Sequence, residues 1–158
     1  FLMQLLLGIA AFTLCIHSLL YGYLSPEGWI TSLFLALVVY LPHELGHIAM
    51  GGKYKIEPIF MALSMLLTYL RLPFILVGYV DYPSEENILK KASAGIIANI
   101  CIALAGIFTM PIVVYPSLVF AFSNLYPFFP LDGYYIWKKS KAGWAILMFI
   151  LLILVLSR

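Results

Sequence analysis

Residues 43–47 read His-Glu-Leu-Gly-His. On a helix, side chains four apart share a face, so both imidazoles can be aimed at one divalent cation. Glu44 stands beside the first of them, placed to take a proton from a water polarised by that ion. This is the equipment of metal-assisted hydrolysis. Two imidazoles leave a catalytic zinc site one protein ligand short. The other acid inside an apolar run is Asp132, in Asn124-Leu125-Tyr126-Pro127-Phe128-Phe129-Pro130-Leu131-Asp132-Gly133. We therefore expect one Zn2+ per chain, held by His43, His47 and Asp132, with Glu44 as the catalytic base.

The surroundings of these residues are apolar. Of 158 residues, 64% are hydrophobic and 10% charged, against about 25% charged in a soluble domain. So few charges cannot solvate a globule of this size, which excludes soluble enzymes and secreted disulfide scaffolds. A net charge of +2 gives no electrostatic footprint for nucleic acid. Cys15 and Cys101 lie in apolar runs without paired spacing and read as buried small hydrophobes. The expected fold class is an all-α, multi-pass membrane protein. Its single domain, 1–158, is a bundle of about five transmembrane helices at 2–21, 29–50, 92–113, 117–137 and 142–157. The first run lacks a basic leader and reads as a retained helix.

Basic residues set the expected orientation. Lys53, Lys55, Arg71, Lys90 and Lys91 fall in the 51–91 linker, and Lys138, Lys139 and Lys141 follow the fourth span. The connections at 22–28 and 114–116 carry none, so the basic segments are expected to face the cytoplasm. Spans two and four then descend in the same direction. His43 is about 14 residues from Trp29 and Asp132 about 15 from Ser117, which puts both about 21–23 Å from the outer edge. That depth match pairs them independently of any motif and places the site towards the cytoplasmic side.

Two segments depart from plain spans. The stretch 56–80 is apolar but contains Pro58, Arg71, Pro73 and Gly78, and it reads as a membrane-dipping hairpin or re-entrant segment with one or two short strands. Pro127 and Pro130 each lack an N–H, which predicts a break in span four just before Asp132. Gly133 is expected to allow a sharp turn there.

With these residues in place, the chain resembles the site-2 protease family of intramembrane zinc metalloproteases. The two hallmark motifs, HExxH and NxxPxxPxDG, stand complete as His43–His47 and Asn124–Gly133, and the resemblance covers roughly residues 29–137. It implies zinc ligation by His43, His47 and Asp132, base chemistry by Glu44, and cleavage of transmembrane protein or peptide substrates within the lipid bilayer. It also implies a substrate contact for Asn124. The family's GPxxN element is represented by Gly95-Ile96-Ile97-Ala98-Asn99, with Ile96 in place of proline; Asn99 is then either a substrate contact or a helix-packing residue.

The competing reading is a catalytically silent membrane subunit that keeps the fold and a structural metal. An intact Glu44 speaks against it, since a structural ion has no use for a base. His17 reads as a bundle-facing or interfacial histidine, Arg71 as an interface anchor, and Glu85 and Glu86 as solvated residues that help cap the helix opening near Asn87.

Overall fold

The computed structural model describes residues 1–84 and 86–157; Glu85 therefore lies outside the described residues. The chain is mostly helical, about 72%, with one two-stranded antiparallel sheet. Helix α1 spans Leu2–Leu20. A continuous helix, Trp29–Ala49, follows, made of α2 (Trp29–Leu35), a π turn at Ala36–Tyr40 and α3 (Leu41–Ala49). Next come β1 (Lys53–Ile56), α4 (Pro58–Tyr69), β2 (Gly78–Asp81) and α5 (Ile88–Thr109). A 3-10 turn at Pro111–Val113 leads into α6 (Val114–Asn124), and α7 (Asp132–Lys139) and α8 (Lys141–Leu156) complete the described chain.

Among the described residues, three helices are long and apolar enough to cross a membrane: Leu2–Leu20, Trp29–Ala49 and Ile88–Thr109. The third begins four residues before the expected 92, because Lys90 and Lys91 fit in the first helical turn, where long side chains can carry their charge outwards. The expected 117–137 and 142–157 spans appear as shorter apolar helices, Pro111–Asn124 and Lys141–Leu156. The prolines break span four as anticipated. Helix α6 stops at Asn124, residues 125–131 are irregular, and α7 restarts at Asp132.

The 56–80 segment corrects the sequence reading. One strand, β2, falls at the end of the segment, but its partner β1 lies just ahead of it at Lys53–Ile56; they pair with Tyr54 opposite Val80 and Ile56 opposite Gly78. Between them lies a helix the hairpin expectation lacked. Pro58 opens α4 rather than interrupting it, since a proline at the first helical position forfeits no intrahelical bond. Arg71, with φ of 63°, and Pro73 close the helix instead of breaking it midway.

Helix α4 packs along α1 and runs in the same direction. Tyr54, just before α4, sets its hydroxyl beside Gly8 near the start of α1, and Arg71, just after α4, donates from Nη1 to Leu19 O near its end (2.7 Å). Arg71 is thus at the opposite end of α1 from Lys53 and Lys55, where a guanidinium suits the terminal carbonyls. From there residues 72–77 return extended. Ser64 of α4 bonds both the N–H and the carbonyl of Leu76, and Ser123 of α6 accepts from Ile75 N (2.9 Å). The segment thus runs as a helix one way and as extended chain the other.

Phe12, Tyr40 and Phe120 form the aromatic centre of the core, with ring centroids 5.0–5.7 Å apart. His17 is fully buried, stacked on Trp29 with its ring nitrogens near Ser25 O and Ser32 Oγ, so it faces the bundle. Cys15 is buried as expected, but Cys101 is exposed on α5. Glu86 does not cap α5; Asn87 occupies that position without a side-chain cap bond.

Candidate metal centre

Pro42 explains a feature just ahead of the motif. It has no N–H for the carbonyl of Val38, and its ring crowds that carbonyl. The helix widens instead, and Leu41 N–H bonds Ala36 O five residues back. Such π turns recur at functional sites because they shift the phase of everything downstream. Here the downstream face carries His43, Glu44 and His47, all buried, while Leu45 points outwards.

Asp132 arrives from the other side. It is the first residue of α7, and no side chain caps that helix, so its carboxylate is not spent on capping. Gly133 does not make the expected sharp turn; it is helical. A β-carbon there would overlap the carbonyls of Leu125 and Tyr126, so glycine is needed for the close approach of α7 to the broken segment. Trp144 Nε1 donates to Leu125 O (2.7 Å) and secures that segment from α8.

The three expected ligands meet. His43 Nε2 is 3.1 Å from His47 Nε2 and 3.5 Å from Asp132 Oδ2, and His47 Nε2 is 2.9 Å from the same oxygen. Donors held tetrahedrally about 2.1 Å from one ion stand about 3.4 Å apart. The observed separations fall at or somewhat inside that value. Asp132 Oδ2 is buried and takes no hydrogen bond among the described residues, despite its proximity to His47. This carboxylate oxygen facing two imidazole nitrogens forms a buried group of donors that could hold a metal ion.

Supporting contacts fix the imidazole of His47. If Nε2 ligates an ion at the centre, Nδ1 carries the proton. It lies 2.9 Å from Lys91 O on α5 and 2.9 Å from the hydroxyl of Tyr82, the residue after β2. The Tyr82 hydroxyl also reaches Asp132 Oδ1 (3.3 Å) and Lys91 O (3.4 Å). Burial, followed by the nearby Asp132 carboxylate, holds the Tyr82 phenol above its ordinary pKa, so it remains an O–H donor at neutral pH. Helix α5 comes in close because position 95 is glycine; a β-carbon there would strike both imidazoles.

Glu44, Asn124 and the three ligands line one small cavity together with Gly78, Tyr79 and Val80 of β2 and with Pro130 and Leu131. Its volume is about 10 Å³, room for a single water. Asn124 Nδ2 also donates to Phe120 O (3.0 Å) within its own helix. Asn99 is not among the lining residues. It is fully buried on α5, and neither side-chain polar atom has a partner among the described residues.

Sequence reasoning missed Tyr82, one tyrosine among eleven and in no motif. It noted Gly95 only as part of a motif, not as the residue that lets α5 touch the imidazoles. Pro42, inside the span and just before His43, was the legible signal for the π turn. Comparisons with protein-family models, curated proteins and solved structures found no match for this chain.

Proposed function

We propose that this protein is an intramembrane zinc metalloprotease of the site-2 protease type, hydrolysing peptide bonds in or near transmembrane segments of membrane-protein substrates. The observation that carries the reading is the meeting of His43, His47 and Asp132 around a one-water cavity that Glu44 also lines. A structural ion would need neither the carboxylate nor the room for water.

His43, His47 and Asp132 would hold the zinc ion, which when bound would supply Lewis acidity that eases deprotonation of water near neutral pH. Glu44 takes the proton from the attacking water and delivers it to the amide nitrogen as the C–N bond breaks. Atoms and charge balance: water oxygen joins the carbonyl carbon, and the two hydrogens end on the new termini. Asn124, at the cavity wall, offers an amide to the substrate's carbonyl. Asn99, off that wall, acts as a packing residue in this reading.

The substrate must be extended, since a helical peptide keeps its carbonyls in its own hydrogen bonds. Strand β2 lines the cavity, so a peptide adding along it would bring its backbone to the catalytic residues. Helix-breaking residues in the substrate lower the cost of unwinding. In the membrane the five expected spans correspond to α1, the Trp29–Ala49 helix, α5, the broken α6–α7 unit and α8. The lysine-bearing end, with Lys53, Lys55, Lys90 and Lys91, faces the cytoplasm, and Arg71 stands at the outer end.

The deciding experiment uses the purified chain in nanodiscs with a transmembrane peptide containing a helix-breaking residue. Cleavage that stops with a chelator and returns with zinc supports the assignment, as does Glu44→Gln that keeps its metal and loses cleavage at least a thousandfold. Cleavage that survives Glu44→Gln overturns the assigned base. A metal-loaded wild type inert towards every such peptide favours the non-catalytic subunit.

A further inference from the structure

We infer that the Tyr82 hydroxyl is a positioning group for the metal centre, one that fixes His47 and Asp132 relative to each other and ties both to strand β2. The inference rests on the reading of His43, His47 and Asp132 as a metal site. The two ligands come from helices far apart in the chain, α3 and α7, and no backbone bond between those helices sets their spacing among the described contacts. One hydroxyl spans the gap.

The proton arrangement is determined by chemistry. A ligating His47 presents the lone pair of Nε2, so Nδ1 carries hydrogen and can only donate. It faces two acceptors at 2.9 Å, Lys91 O and Tyr82 Oη. The Tyr82 O–H, accepting from His47, has its own hydrogen free for Asp132 Oδ1 at 3.3 Å, the nearer of its two carbonyl or carboxylate partners. The resulting chain, imidazole N–H to phenol to carboxylate, makes the His47 imidazole a stronger donor and fixes the rotamer of Asp132. Donation from Nδ1 raises the basicity of Nε2, and engaging Oδ1 leaves Oδ2 aimed at the imidazoles. Oδ2 is the oxygen that lacks a hydrogen bond.

The placement in the chain adds a second consequence. Tyr82 follows Asp81, the last residue of β2, and Gly78, Tyr79 and Val80 of that strand line the cavity. The ring is also held edge-on by Tyr135 of α7, with centroids 5.3 Å apart and planes at 90°. Moving β2 therefore moves a group bonded to two ligands.

The test is metal affinity, read without reference to cleavage. Wild type and Tyr82→Phe in detergent compete with a chromophoric chelator for Zn2+, and Co2+ is titrated in parallel for its visible absorption. Loss of an outer-shell partner costs 10–100-fold in metal affinity, and that is the weakening expected for Tyr82→Phe, with an altered cobalt spectrum. Tyr135→Phe, which keeps the ring contact and bears no bond to a ligand, should bind as wild type does. Equal affinity and an identical cobalt spectrum in Tyr82→Phe overturn this assignment alone, leaving the metal site standing. A wild type that binds neither ion overturns the metal site and this inference together. Should Tyr82→Phe not fold, 3-fluorotyrosine at position 82 strengthens the donor with the ring intact; an unmoved cobalt absorption maximum then overturns the proposal.

Discussion

Gly95 of α5 faces His47 of α3 so closely that a β-carbon on Gly95 would collide with the imidazole Nε2, and the same carbon would lie 2.7 Å from His43 Nε2. Those two nitrogens are the candidate ligand atoms. A glycine on one helix thus decides whether two histidines on another can turn their nitrogens to a shared centre.

Gly95→Ala is expected to push both imidazoles off that centre. The neighbours are buried ring atoms, those of His47 held from behind by Lys91 O and Tyr82, not the ends of flexible chains, so relief must come largely from helix movement. Overpacking of this kind costs about 1–3 kcal/mol, roughly ten- to a hundredfold in metal affinity. Zinc competition measures it, with far-UV circular dichroism to show that the helices persist. An alanine variant that binds zinc like wild type contradicts the close approach.

The returning segment 72–77 hangs on Ser64, fully buried, whose hydroxyl serves both the N–H and the carbonyl of Leu76. Ser64→Ala strands two buried backbone groups at about 1–3 kcal/mol each. We expect a melting temperature lower by several degrees and faster proteolysis within residues 72–78, while α1 and α5 remain protected. A melt unchanged within a degree would show that Leu76 finds other partners.

At the sheet's exposed rim, Lys55 Nζ donates to Asp81 Oδ2 (2.9 Å), which holds the Asp81 carboxyl below its ordinary pKa and raises that of Lys55. The sign follows from linkage. A depressed carboxyl pKa contributes stability that is present above the unfolded-state value and lost as pH falls through the folded one. The Lys55 part is lost only as pH rises beyond the ordinary lysine range. Both groups are solvent-exposed, so the effect is small. Asp81→Asn should lower the melting temperature slightly at pH 7 and in low salt, and the difference should close as pH falls below the ordinary aspartate range. A gap that widens in acid has the wrong sign for this pair.

Much of this protein could be read from the sequence because its signals are local. The spacing of His43 and His47 acts through helical periodicity, which needs no tertiary information. Pro127 and Pro130 break a helix wherever they stand, and α6 duly ends at Asn124 and resumes at Asp132. Apolar length gave the three long helices to within a few residues. The segment around α4 was misread because Pro58 and Arg71–Pro73 were weighed as interruptions; as start and stop signals they bracket twelve good helix positions.

Other features depended on distances between elements that no local rule fixes. The end of α1 that receives Arg71, the approach of α5 that makes Gly95 obligatory, and the single hydroxyl that joins His47 to Asp132 are contacts between segments distant in the chain. Periodicity says which face a residue occupies and composition says what medium surrounds it. Only the packing of one segment on another determines which two atoms come within 3 Å, because that depends on every side chain in between.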